Sequence, residues 1–164
     1  MCGCGDTFSG NVMAGFRSHL SSTRITEKII RIIMPLIYFS DVLGCEIIAE
    51  SGFYCDGESV PRIPVVYAWL GHTTLRGGVL HDLGYRYDCV PKLTRAKVDA
   101  MYREICIISS VEDLTAEGKK LTHLRLMNIK AQAYAKWAAV RVRGKHFHKK
   151  SVTWKPDHCH DEGK

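Results

Sequence analysis

The chain has 164 residues, 46% hydrophobic and 24% charged, which suits one globular domain with a core of its own. That balance excludes a largely disordered chain. It also excludes a single apolar span, because the longest candidate, 29–39, is interrupted by Arg31 and Pro35.

The net charge of +6 matches a run of six cations, Arg141, Arg143, Lys145, Lys149, Lys150 and Lys155, with no acid between them. The body of the chain is therefore near neutral, and nucleic acid is not an expected partner. We read 1–144 as one domain and 145–164 as a basic tail that is solvated or docks a partner. The seven cysteines, at 2, 4, 45, 55, 89, 106 and 159, show no regular disulfide framework and are expected mostly as thiols.

In chain order, 29–39 is rich in isoleucine and carries a proline, which predicts an edge strand. Residues 41–44 have turn chemistry and 45–49 read as the return strand. Two glycines and two prolines make 52–64 a loop. A short helix is predicted over 65–70, then one from 75 or 78 to about 87, stopped before Pro91. Thr94 is a natural cap for a helix running to about 108. The last helix is predicted over about 116–143, with Leu121, Leu124, Met127, Ala131, Tyr134 and Ala138 as its buried stripe. The fold class is α+β: short N-terminal strands and loops, an antiparallel helix pair, and a long C-terminal helix.

The helix pair carries the candidate chemistry. Its connection centres on Val90, and positions equidistant from that centre face each other in such a hairpin. His81 and Asp99 each lie nine residues away. A carboxylate on one imidazole nitrogen fixes the tautomer, so the other can take a proton from water. Tyr85 is one turn beyond His81, and Arg95 one turn before Asp99, both within reach of that carboxylate. Asp82 points about 100° away from His81 and faces elsewhere. Glycines at 52 and 57 permit backbone turns that aim carbonyls at a hard cation. Asp56, Glu58 and Asp82 supply the charge that calcium prefers.

The run His81-Asp82-Leu83-Gly84-Tyr85-Arg86-Tyr87, followed by Arg95 and Asp99, resembles the His-Asp-x-x-Tyr signature of phospholipase A2. The segment Asp56-Gly57-Glu58-Ser59-Val60-Pro61 is similar to the calcium loop of the small bacterial and fungal members. The resemblance implies a phospholipase A2-like core in which His81 is the general base and Asp99 orients it, with Tyr85 beside them. It further implies a calcium ion held by Asp82 with Asp56, Gly57 and Glu58, and an oxyanion held by calcium and the Gly57 amide. Phospholipid or a membrane surface is then the expected partner. The chain departs from secreted members in having Gly78-Val79-Leu80 where they place a cysteine, and Glu58 within the loop.

A second resemblance covers more of the chain. Phe8-Ser9-Gly10, Gly52-Phe53, Asp56 to Arg62, His81-Asp82 with Tyr85, Arg95 with Asp99, and Ala138-Ala139-Val140-Arg141 with Gly144 occur in order. That order is similar to a family of uncharacterised small proteins encoded by bacteriophages and prophages. It implies a viral protein made in the bacterial host cytoplasm. With no basic region followed by an apolar one at Met1-Cys2-Gly3-Cys4-Gly5, and 29–39 too short to span, neither a signal peptide nor a transmembrane segment is expected. It also implies an alternative role, a virion or tail structural protein bound to other phage proteins. Zinc is the lesser metal expectation; His146, His148, His158, Cys159 and His160 read as a tail that binds metal adventitiously.

Overall fold

A computed structural model describes residues 13–26, 29–55, 75–86, 89 and 92–143. Within them the chain forms β1 (Gly15–Phe16), β2 (Ser21–Arg24), β3 (Ile30–Met34), β4 (Leu36–Ser40), β5 (Cys45–Ala49) and β6 (Tyr54–Cys55). Three helices follow: α1 (Leu75–Tyr85), α2 (Arg95–Ala116) and α3 (His123–Arg143). The class is α+β, as expected. The strands make two antiparallel sheets, ordered β1-β4-β5 and β2-β3-β6.

The stretch expected as one edge strand is two strands, each in the middle of its own sheet. Pro35 is the reason. It has no N–H to donate and a fixed φ, so the chain leaves one sheet there and enters the other. Ser18 clamps the crossing: its hydroxyl donates to the Pro35 carbonyl at 2.9 Å and accepts from the Ile37 amide at 2.8 Å. The turn over 41–44 and the return strand stand as read, with Ser40 opposite Cys45. Tyr54 and Cys55, expected in a loop, pair instead with Arg31 and Ile30. Gly52 precedes them with φ +86°, a conformation that suits glycine, and its amide bonds the Ile32 carbonyl at 2.7 Å.

The main core joins the strands to α1 and α2 through Ile32, Leu36, Tyr38, Ile47, Val79, Leu80, Val98, Met101 and Ile105. Glu104 of α2 ties that helix to the β4–β5 hairpin, accepting from the Tyr38 hydroxyl at 2.9 Å and the Val42 amide at 3.0 Å. Burial, and then the neighbouring Glu104 charge, push the Tyr38 hydroxyl well above its ordinary pKa.

The two central helices touch where Gly84 meets Val98. A Cβ on Gly84 would lie 2.7 and 2.9 Å from the two Val98 methyls. Gly84→Ala should therefore destabilise the fold by about 1–3 kcal/mol through overpacking. Its helix propensity alone would work in the opposite direction by about 1 kcal/mol. Urea unfolding decides between them: a variant as stable as the parent would mean that the crossing has slack.

Helix α2 begins as expected. Thr94 is extended, with φ −75° and ψ 148°, and its side chain accepts from the Lys97 amide at 3.4 Å. It runs on to Ala116, however, beyond the expected end near 108. Gly118 closes it in the left-handed region at φ +68°, with Lys119 N bonding the Leu114 carbonyl at 2.9 Å. Thr122 then caps α3, accepting from the Arg125 amide at 3.3 Å. The single helix expected from 116 therefore starts later, after a break at 117–122.

The expected buried stripe of α3 is also corrected. The helix turns Ile129, Ala133, Lys136 and Val140 inward, and Leu124, Met127 and Tyr134 outward. Tyr102, Cys106, Ala133 and Val140 form a second small core between α2 and α3. Burial there pushes the Cys106 thiol up to about 11 and lowers Lys136, so Cys106 is a packing residue rather than a reactive one. Cys45, Cys55 and Cys89 are likewise thiols rather than disulfide partners. The predicted helix over 65–70 and the tail from 145 lie outside the described residues.

Candidate functional site

Helix α1 is buried at Gly77, Val79, Leu80, His81, Gly84 and Tyr85. Facing strands on one side and α2 on the other, it turns His81 and Tyr85 toward α2, where Asp99 sits with no exposed surface. His81 Nε2 lies 3.1 Å from Asp99 Oδ1. The Tyr85 hydroxyl donates to the same oxygen at 2.5 Å. The imidazole rests between two tyrosine rings, with centroids 4.2 Å away at Tyr85 and 4.9 Å at Tyr102.

The other carboxylate oxygen faces two guanidinium groups. Arg141 of α3 donates to Asp99 Oδ2 at 3.1 Å. Arg95, one turn before Asp99, places its Nε 3.7 Å from the same atom and 3.4 Å from the Tyr85 hydroxyl. Arg95 also donates to the Val140 and Arg141 carbonyls, which satisfies orphan acceptors at the end of α3. Asp99 thus holds bonds from all three helices.

Those partners decide its charge. Burial by itself would raise the Asp99 pKa, but hydrogen bonds from His81, Tyr85 and Arg141 outweigh it and hold the carboxyl below its ordinary value. Tyr85 moves the other way. Burial first, and the bond it donates to Asp99 second, push its hydroxyl up to about 12. A charged carboxylate and a neutral phenol therefore stand beside the imidazole near neutral pH. With Nε2 turned to Asp99, Nδ1 is the ring nitrogen placed to take a proton.

The structure brings together His81, Tyr85, Arg95 and Asp99. Asp82 follows His81 on α1 and is half-buried. The other expected calcium ligands, Asp56, Gly57 and Glu58, lie outside the described residues, as do the histidines and Cys159 of the tail. Among the described residues, no group of three or more His, Cys, Asp or Glu side chains is placed to hold a metal ion. Cys55, the residue before Asp56, packs in the core with Val79 and Leu80 of α1, the helix that carries His81 and Asp82.

Arg141 is the site residue that sequence reasoning missed, because in the sequence it stands out only as the first cation of the basic run 141–155. A signal existed. Arg141 and Asp99 are 42 residues apart, so each lies 21 from Lys120, inside the connection between α2 and α3. The equal-spacing argument that pairs His81 with Asp99 would have found it, given the correct helix break.

A family model described as a protein of unknown function (DUF1353) matches residues 30–118. The match contains His81, Tyr85, Arg95 and Asp99 and stops before Arg141. No curated protein and no solved structure matches the chain.

Proposed function

The chain belongs to the DUF1353 family, and we propose that in it His81 and Asp99 form the base of a calcium-dependent, phospholipase A2-like ester hydrolase, in a protein of bacteriophage origin. The observation that carries this reading is the buried His81–Asp99 contact at 3.1 Å, with the carboxylate kept charged by Tyr85 and Arg141. A histidine so held has one nitrogen turned to a fixed anion and the other for proton transfer.

The reaction follows from that arrangement. His81 Nδ1 takes a proton from water as the water oxygen bonds to the ester carbonyl carbon. Asp99 stabilises the imidazolium that forms. Collapse of the tetrahedral species breaks the bond to the alcohol oxygen, which takes the proton back from His81. Tyr85 and the two arginines hold Asp99 in place and keep it ionised. In this reading Asp82, with Asp56, Gly57 and Glu58, would hold the calcium ion. A bound calcium would supply positive charge to polarise the carbonyl.

A second reading has its own support. Because Asp99 takes bonds from α1, α2 and α3, the cluster also suits a clasp in a non-catalytic virion or tail protein. Hydrolysis of phospholipid and of an activated ester, with and without calcium, separates the two. The enzymatic reading expects turnover that requires calcium and disappears with a chelator. A folded, calcium-binding protein that cleaves neither substrate leaves the clasp.

A further inference from the structure

Helix α3 is apolar on two opposite sides. One side, Ile129, Ala133 and Val140, is spent against α2. The other, Leu124, Met127, Ala131, Tyr134, Ala138 and Val142, follows steps of three and four residues and faces solvent. Leu124 and Val142 are 78% exposed, Met127 56% and Tyr134 51%. A continuous apolar row of this kind along a helix of 21 residues is a surface made for contact.

The charges around it say what kind. Between His123 and Arg143 there are five cations, Arg125, Lys130, Lys136, Arg141 and Arg143, and no acid. Lys136 is turned inward and Arg141 toward Asp99, while Arg125 and Lys130 are exposed. A further cation comes from α2: the Arg103 guanidinium lies 4.6 Å from the Tyr134 ring centre and 5.6 Å from that of Trp137. Aromatic rings beside cations, at the border of an apolar row, match the depth profile of a headgroup region. A second copy fits poorly, since pairing two such helices sets cation against cation where complementary charges are needed. No described helix is long and apolar enough to cross a membrane, so the contact would lie in the plane of a surface.

We infer that the outer face of α3 docks the protein onto an anionic lipid bilayer, inserting Leu124, Met127, Tyr134 and Val142 while Arg103, Arg125 and Lys130 meet the headgroups. This goes beyond the hydrolytic reading and stands without it. The two are spatially joined, since the last turn of α3 carries both outward Val142 and Arg141, which holds Asp99.

Sedimentation with vesicles tests it, comparing phosphatidylcholine mixed with phosphatidylglycerol against phosphatidylcholine alone. Wild type should bind the mixed vesicles, and binding should fall as salt rises. Leu124→Asp with Val142→Asp should weaken binding about tenfold or more, by removing two inserted side chains. Those positions are exposed, so the thermal midpoint should stay unchanged, and that measurement accompanies each variant. Lys130→Glu should weaken binding to the mixed vesicles alone.

Wild type that ignores anionic vesicles overturns the inference and leaves the face to an acidic protein helix. Binding that survives Leu124→Asp with Val142→Asp also overturns it, placing lipid affinity elsewhere, such as the basic residues from 145 onward. So does a lipid-free dimer by ultracentrifugation that the same variants dissociate.

Discussion

Replacing His81 with alanine should reduce ester hydrolysis by about 10²–10⁴-fold, the usual contribution of a positioned general base. The loss should fall on turnover, because nothing else in the cluster can accept the proton. Asp99 is held charged but faces Nε2, and Tyr85 is a neutral phenol. The fold should survive, since Tyr85 and Arg141 still hold the Asp99 carboxylate. His81→Gln is the companion variant. Its amide nitrogen can take the place of Nε2 as a hydrogen-bond donor for Asp99 but is no base, so it should be as inactive as alanine and more stable. Calcium affinity, measured by calorimetry, should not change in either. Activity retained by His81→Gln would mean that the proton goes elsewhere, and the proposed role of His81 would be abandoned.

Removing Asp99 should instead cost the fold. Asp99→Ala deletes a fully buried charge that faces Arg141 and Arg95 and takes bonds from His81 and Tyr85. Breaking a buried pair on one side costs about 3–5 kcal/mol, because the remaining charge is left without compensation. Arg141 is partly exposed and can turn to water, so the lower end applies. For a domain of this size each kcal/mol lowers the thermal midpoint by about 2–4 °C. The wild type should show the same interaction as a pH effect. Asp99 has a folded pKa below its ordinary 3.8, so its stabilisation is complete above that value and is lost as pH falls through the lower, folded one. Asp99→Ala should flatten the acid limb of the stability curve. A variant with wild-type stability at neutral pH and an unchanged acid limb would remove Asp99 from the clasp.

How much of this was legible beforehand depends on the range of each interaction. The β4–β5 hairpin was readable because a turn and its two flanking strands are neighbours in sequence, and turn chemistry sets the register. The Thr94 cap was readable for the same reason: its hydroxyl serves an amide three residues away. Equal spacing about a helix connection was enough to bring His81 to Asp99, because an antiparallel pair has one degree of freedom once its turn is known.

Tertiary packing decided the rest. Pro35 marks a break in pairing, but only the second sheet tells the chain to change partners there rather than end an edge strand. Gly118 is a permissive stop, and the end of α2 depends on where α3 must begin in order to pack back. The stripe on α3 shows the limit most clearly. Both Leu124–Met127–Tyr134 and Ile129–Ala133–Val140 satisfy helical spacing, and periodicity alone cannot say which row faces inward. The choice falls to α2. Tyr102 and Cys106 offer a surface that Ala133 and Val140 fill, and this rotation brings Arg141 to Asp99 while leaving the other row outside. The sequence by itself determined which residues can form each face; only the packed neighbour, by removing one face from water, determined which face was used.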